Sequence, residues 1–118
     1  MPVSRHPWMG SLTLTDADTN YSIRELVDAL DASIVPSNAS GRNMVVQWLA
    51  IQLDVGAGGA RLYIGNPNNL SGTNCGVELV ATQVWSIWSM PTNLVNVDDI
   101  YVRSNTAGVR INVTFMRL

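Results

Sequence analysis

Alternation of polar and apolar residues runs through most of this chain and predicts β-strands. Residues 11–15 (SLTLT) alternate strictly, and in residues 109–117 the apolar side chains from Val109 to Phe115 fall on one face. The segment 44–55 is apolar on both faces around Trp48, which is typical of a strand near the centre of a sandwich. The same reasoning places further strands at residues 61–65, 77–81, 84–88 and 100–103, where 77–81 and 84–88 are either two strands or one bent strand.

One segment changes from strand spacing to helical spacing. Ser22 is followed three residues later by Glu25, which is the capping-box arrangement at the start of a helix. Apolar residues then form a single stripe at intervals of three and four, at Ile23, Leu26, Val27, Leu30 and Ile34. Pro36 and Gly41 follow. We therefore predict a helix over residues 22–32.

The first ten residues (MPVSRHPWMG) contain two Pro and a Gly and show no periodicity. They predict an extended N-terminal arm at residues 1–10, ahead of a domain at residues 11–118. Aromatic residues, Met and Arg are enriched at protein interfaces, so we expect Arg5, Trp8 and Met9 to contact a partner. The alternative is that Trp8 folds back over its own domain.

Residues 104–108 (SNTAG) separate two predicted strands and predict a hairpin loop, with Gly108 where a positive φ is needed. Six to eight short strands with one helix predict a mostly β protein. The expected architecture is a single-domain β-sandwich of jelly-roll or Greek-key type, with one short helix.

Composition narrows the class of partner. Apolar residues make up 47% of the 118 residues and charged residues only 14%, against about 25% in ordinary soluble domains. A surface of Asn, Ser, Thr and Gly is easily desolvated, which suits a protein covered by neighbours. The seven basic residues are all Arg, they are scattered, and the net charge is −2, so we expect no nucleic-acid partner. No apolar run is long enough to span a bilayer, so we expect no membrane partner.

Residues that carry catalytic or metal chemistry are few. His6 is the sole histidine and Cys75 the sole cysteine, which excludes an internal disulfide and a His/Cys zinc site. Asp16, Asp18 and Asn20 have the alternating spacing of a calcium loop but lack its Gly and its distant Glu. The adjacent pair Asp98–Asp99 is interpreted as turn capping before the strand at residues 100–103. We expect no enzymatic activity, no cofactor and no metal.

Trp85 and Trp88 fall on opposite faces of the strand at residues 84–88, and Met90 follows them. Because both faces carry a Trp, we expect at least one to meet another chain or the helix. We assign Trp85, Trp88 and Met90 to contacts between copies. Stacking on a sugar ring is the competing functional interpretation, and packing in the core is the default for either Trp taken singly.

The second half of the chain resembles virion proteins of tailed bacteriophages. Residues 61–66 (RLYIGN) are similar to a strand and turn of the form x-L-Y-I-G-N/D in that group, and a loop like residues 68–76 follows. Residues 97–113 (VDDIYVRSNTAGVRINV) resemble the ending L-x-D-I-Y-V-x-x-x-T-x-G-x-x-V-x-V of small capsid decoration and head-fibre proteins. The resemblance covers residues 60–118 and includes neither the predicted helix nor the Trp85–Trp88 segment.

This resemblance implies a non-enzymatic β-sandwich on the outside of an icosahedral head, often a trimer. We therefore expect a capsid decoration (cement) protein of the virion, with the major capsid protein as partner and self-association as a homotrimer. The start of the chain lacks the apolar stretch of a signal peptide, so we expect synthesis in the host cytoplasm. The alternatives are a tail, baseplate or fibre-joining protein, and a module that binds host glycans through Trp85 or Trp88.

Overall fold

Short strands follow one another along the chain, with one helix between the second and third. The computed structural model describes residues 7–30, 45–68, 70–90 and 94–117. The elements are β1 (Trp8–Leu14), β2 (Tyr21–Ser22), α1 (Ile23–Leu30), β3 (Val45–Leu53), β4 (Leu62–Gly65), β5 (Val77–Leu79), β6 (Val84–Trp88), β7 (Val95–Asn96), β8 (Tyr101–Ser104) and β9 (Val109–Arg117). The predicted bounds of β6 and β9 are confirmed to the residue. In these ranges no helix is both long and apolar enough to cross a bilayer.

The strands form two sheets with antiparallel neighbours throughout. The five-stranded sheet has the order β1-β9-β3-β6, with β7 paired to the start of β3, and the four-stranded sheet has the order β2-β8-β4-β5. Without β7, each sheet has four strands, and the chain crosses repeatedly from one sheet to the other. This is the arrangement of a jelly roll. The predicted mostly β, single-domain sandwich is confirmed, and the strand order makes it the jelly-roll type.

The core lies between the inner faces of the two sheets. On β9 the predicted apolar face is buried from Val109 to Phe115, and the ring of Phe115 is fully buried. Leu62 and Ile64 of β4 belong to the same buried cluster from the opposite sheet. Because strand side chains alternate between faces, the residues between these positions form the outer faces.

A β-bulge changes which residues of β3 face the core. The register of β3 against β9 shifts between Val46 and Trp48, so Gln47 is the extra residue. Val46 is buried before the shift, and Leu49, Ile51 and Leu53 are buried after it. The bulge therefore turns Val46 inward and Trp48 outward although both occupy even positions.

β1 begins at Trp8 rather than at Ser11, which corrects the predicted strand and moves residues 8–10 from the arm into the sheet. Trp8 pairs with Phe115 in the register of β9, and the two rings stack with centroids 5.2 Å apart. A Cβ on Gly10 would lie 2.5 Å from the Trp8 ring, so Gly10 is the residue that leaves room for the indole. Residues 1–6, including Arg5 and His6, lie outside the described residues.

The predicted hairpin at residues 104–108 is wrong, although the positive φ of Gly108 is confirmed at 74°. β8 belongs to the four-stranded sheet and β9 to the five-stranded sheet, so this loop carries the chain across the core instead of reversing it within one sheet. The turn between β5 and β6 also crosses, which shows that they are two separate strands. Such crossings leave no pattern in strand periodicity.

α1 begins where the capping box predicts. The backbone N–H of Glu25 donates to Ser22 Oγ at 3.4 Å, and Ile23 and Val27 are buried against the core. Arg24 Nη1 donates to both carboxylate oxygens of Asp98, at 2.9 and 3.1 Å, and ties the helix to the 3-10 turn at Val97–Asp99. The predicted end of the helix beyond Leu30 lies outside the described residues.

Candidate interaction surface

The outer face of the five-stranded sheet divides into an apolar half and a polar half. The pairing register places Met116, Trp48 and Trp88 side by side on β9, β3 and β6. Met9 of β1 is directly opposite Thr114, one outward position along from Met116. We name this set of four side chains, Met9, Trp48, Trp88 and Met116, the Trp88 patch.

The Trp88 patch combines exposure with a fixed scaffold. Trp88 is 62% exposed and Met9 is 69% exposed, while Trp48 and Met116 are half-buried. The rings of Trp48 and Trp88 lie 5.9 Å apart with a tilt of 38°. Offset and tilted aromatic pairs at this separation stabilise each other, so the indole of Trp88 is held in place on the sheet. None of the four side chains is charged.

The polar half of the same face is a ladder of paired side chains. Ser11 Oγ donates to Asn112 Oδ1 at 2.8 Å, and Asn112 Nδ2 donates to Gln52 Oε1 and Asp54 Oδ1 at 3.2 Å each. Each of these polar groups is engaged with another across β1, β9 and β3. The ladder therefore holds the strands in register. Its side chains hydrogen-bond to each other instead of being available to a ligand.

Asp54 ends this ladder at the start of the 3-10 turn Val55–Ala57. Hydrogen bonds from the Gly56 backbone N–H and the Asn112 side chain, followed by the nearby Arg110 guanidinium, hold the pKa of Asp54 below its ordinary value. An open cleft of about 400 Å³ lies beside Asp54, bordered by Thr106 and Arg110 among others. Its carboxylate already has three donors, so it acts as a structural cap.

β6 forms an edge of the five-stranded sheet. Leu53 N donates to Gln83 O at 3.1 Å and Ser89 N donates to Gln47 O at 2.8 Å, just beyond the two ends of β6. Hydrogen-bonded pairs recur every second residue in antiparallel strands, so Trp85 and Ile87 direct their backbone groups at β3. Those of Val84, Ser86 and Trp88 point away from the sheet.

The structure places the predicted contact residues in three different settings. Trp8 is half-buried on Phe115, and Trp85 packs partly buried against the core from the inner face of β6. Met9 and Trp88 share the Trp88 patch, and Met90 is exposed just beyond β6. The opposite facing of the two Trp of β6 is confirmed.

Sequence reasoning missed Trp48 and Met116 as members of this surface. Their adjacency depends on β9 lying beside β3, which a single strand's pattern does not reveal. The double-sided apolar pattern of the segment 44–55 was a usable signal, because a Trp on the outer face of a central strand has no partner in its own core.

The candidate calcium loop is engaged by an arginine. Arg103 Nη1 donates to Asn20 Oδ1 at 3.3 Å, and Arg103 Nη2 lies 3.8 Å from Asp18 Oδ1. Asp16 Oδ2 accepts from the Tyr21 hydroxyl at 3.3 Å. Asp18 and Asn20 therefore share Arg103 as a partner, whereas Asp16 interacts with Tyr21. Among the residues that the structure describes, no three His, Cys, Asp or Glu side chains gather as a metal site.

Comparisons with known proteins add little to these observations. No protein-family model and no curated protein matches the sequence. Among solved structures, the chain is similar to one from the "Cryo-EM structure of giant freshwater prawn Macrobrachium rosenbergii extra small virus (XSV) VLP". The two are 11% identical, the match covers 98% of this chain and 82% of the other, and the TM-score is 0.44.

Proposed function

We propose that this protein is a structural virion protein that decorates a phage capsid. The observation that carries the proposal is the Trp88 patch, an uncharged aromatic and Met surface held on a rigid sheet. The resemblance of residues 60–118 to phage virion proteins indicates the class of partner, which is the major capsid protein of the same particle. The patch is suited to binding a surface.

The patch has the features of an interface centre. Aromatic residues and Met are enriched at the centres of protein interfaces, where Trp side chains commonly contribute most of the binding free energy. Burying apolar surface contributes about 25 cal/mol per Å², and the four side chains bring no charge that must be desolvated. Since the patch lies on strands and not on a loop, little conformational entropy is lost on binding.

The Trp88 patch brings together residues to which the sequence analysis assigns two different partners, the capsid and another copy of the chain. Met9, expected to contact the capsid, lies on the same patch as Trp88, expected to contact another copy. We assign both to the capsid contact. Trp8 is not part of the patch, because its ring stacks on Phe115 and packs against the core.

The mechanism is thermodynamic. A protein that binds only the assembled, expanded shell stabilises that state by mass action against states to which it does not bind. Occupancy of many equivalent positions adds this stabilisation over the whole head. The decoration protein itself needs no catalytic group.

The proposal is tested by binding to heads assembled from the major capsid protein encoded with this chain. The protein, labelled at the exposed thiol of Cys75, is mixed with expanded heads and followed by co-sedimentation. Trp88→Ser is expected to weaken binding at least about tenfold, as truncation of a central aromatic commonly does. Val55→Ser is the matched control, because Val55 is 75% exposed but lies on the 3-10 turn at the other end of the sheet.

Several outcomes would contradict the decoration role or the part that the Trp88 patch plays in it. Saturation at six or twelve copies per particle would place the protein in the tail. Absence of head binding together with quenching of Trp fluorescence by host lipopolysaccharide would favour a glycan-binding module. Equal binding by Trp88→Ser and wild type would remove the patch from the interface.

A further inference from the structure

The outward side of β6 offers three residues for strand pairing. The backbone N–H and C=O of Val84, Ser86 and Trp88 point away from β3, and no strand in the described ranges pairs with that side. Unpaired backbone groups of this kind are a template for another strand. β6 therefore has the geometry to accept a partner along its length.

The side chains of β6 carry none of the usual protection of an edge. Its sequence (VWSIW) contains no charge, Pro or Gly, and Val84 and Trp88 are both more than half exposed. The edges of the other sheet differ, since β2 has two residues and β5 has three, with Glu78 ion-paired to Arg61 at 3.2 Å. β1, the opposite edge of the same sheet, exposes Ser11 and Thr13 beside Met9. β6 is thus the most apolar edge of the sandwich.

The pattern of β6 matches its own reverse. With a two-fold axis at Ser86, each of Val84, Ser86 and Trp88 faces a residue of a second copy whose backbone groups also point outward. Val84 then lies opposite Trp88 of the second copy, Trp85 lies opposite Ile87, and the small Ser86 side chains meet at the axis. An axis at Trp85 or Ile87 would leave one of the three residues unpaired. A self-complementary patch of this type is what a two-fold dimer requires.

We propose that two copies of this chain associate by antiparallel pairing of their β6 strands about a two-fold axis at Ser86. The sheet then runs continuously through both copies and presents two Trp88 patches on one outer face. No like charges meet across the axis, because the strand has none. The role of this dimer on the head rests on the proposed function. The dimer contact replaces the contact between copies that was expected to form a trimer.

Disulfide trapping tests the axis directly. Residues of a hydrogen-bonded antiparallel pair have Cα atoms about 5.5 Å apart, within the range that a disulfide spans. In a Cys75→Ser background, Ser86→Cys is expected to form a covalent dimer under mild oxidation at least about tenfold faster than Thr13→Cys. Thr13 is the matched control because it is an exposed outer-face position on the opposite edge, β1. Equal rates for the two variants would overturn the pairing.

A second set of measurements tests the dimer without cysteine variants, in case those variants do not fold. Sedimentation of the wild type is expected to show a concentration-dependent dimer, and Ser86→Lys is expected to raise its dissociation constant at least tenfold by placing two like charges at the axis. Hydrogen exchange is expected to protect the Ser86 amide only at concentrations where the dimer forms. A wild type that stays monomeric would overturn the proposal. So would a Ser86 amide that is protected at every concentration, because a segment of the same chain would then cover β6.

These tests are independent of the capsid. A chain that binds heads but shows no β6 dimer would reject the pairing and leave the decoration role intact. A chain that dimerises through β6 but ignores heads would reject the decoration role and leave the pairing intact.

Discussion

The two sheets of the jelly roll have outer faces of opposite character. On the four-stranded sheet, Arg103, Tyr63 and Glu78 lie side by side across β8, β4 and β5, and Glu78 is ion-paired to Arg61. Tyr63 is only 9% exposed among these charged neighbours. On the five-stranded sheet, the outer face instead carries the Trp and Met side chains of the Trp88 patch, on β1, β9, β3 and β6.

This difference shows how a protein with few charges distributes them. On the four-stranded sheet, the charged side chains of Arg103 and Glu78 flank Tyr63, which leaves little apolar surface exposed at these positions. The five-stranded sheet leaves its aromatic side chains exposed. A contiguous exposed apolar patch on a soluble domain commonly marks a site of interaction. The first face is the one we expect to remain solvated, and the second is the one we expect to be covered.

Both faces depend on the core between them, so the largest expected effect is that of Phe115→Ala. Phe115 is fully buried and stacks on Trp8, and its truncation is expected to lower the free energy of unfolding by about 3–5 kcal/mol. Thr114→Ala, on the outer face of the same strand, is expected to change it by no more than about 0.5 kcal/mol. Denaturant unfolding followed by Trp fluorescence measures both. Similar losses would mean that β9 does not have distinct inner and outer faces.

A substitution on each outer face sharpens the contrast between them. Tyr63→Ala is expected to lower the free energy of unfolding by about 2–3 kcal/mol, because a nearly buried ring is removed. Trp88→Ala is expected to cost less than about 1 kcal/mol in the monomer, because most of that ring is already in water. Thermal unfolding at low protein concentration compares the two. A larger loss for Trp88 would indicate that its side chain stabilises the fold and not a contact.

The ion pairs provide a smaller comparison. Arg24 and Asp98 are only 18% and 22% exposed, so Arg24→Ala is expected to cost about 1–2 kcal/mol. Arg61 and Glu78 are 50% and 44% exposed, and Arg61→Ala is expected to cost less than about 1 kcal/mol because solvent screens the pair. Raising the salt concentration is expected to shrink the second loss more than the first. The reverse order would show that the Arg61 pair is better shielded than its exposure indicates.

The smallest expected effect concerns Asp54. Its folded-state pKa is lowered by the Gly56 N–H, Asn112 and Arg110, so its contribution to stability is present above the ordinary carboxyl pKa and is lost as pH falls through the lowered value. Asp54→Asn is therefore expected to be less stable than the wild type near neutral pH, and the difference is expected to vanish in strong acid. Urea unfolding over a pH series measures this difference. A difference that stays constant into strong acid would contradict it.

The sequence pattern was sufficient to predict those elements that depend only on residues near each other in the chain. Alternation fixed both ends of β9, and the Ser22–Glu25 spacing located the start of α1. The start of β1 was missed because Pro7 and Gly10 are typical of loops, whereas Gly10 accommodates the ring of Trp8. That ring position depends on Phe115, which is far away in sequence.

The same distinction holds for the candidate surface. Periodicity placed Trp85 and Trp88 on opposite faces but could not decide which of them points into the core. The adjacency of Met116, Trp48 and Trp88 arises from the order of β9, β3 and β6 in the sheet. Neighbour relations between distant strands are set by the packing of the whole sandwich, and a single sequence does not display them.

The position of β9 between β1 and β3 has a consequence for how the chain folds. β1 has no sheet partner except β9 among the described residues, and β3 relies on β9 for one of its two sides. During synthesis β1 therefore lacks this partner until β9 has been made. Long-range pairings of this kind slow folding and prolong the exposure of apolar strands. We expect a slow, all-or-none folder that is vulnerable to aggregation until β9 is in place.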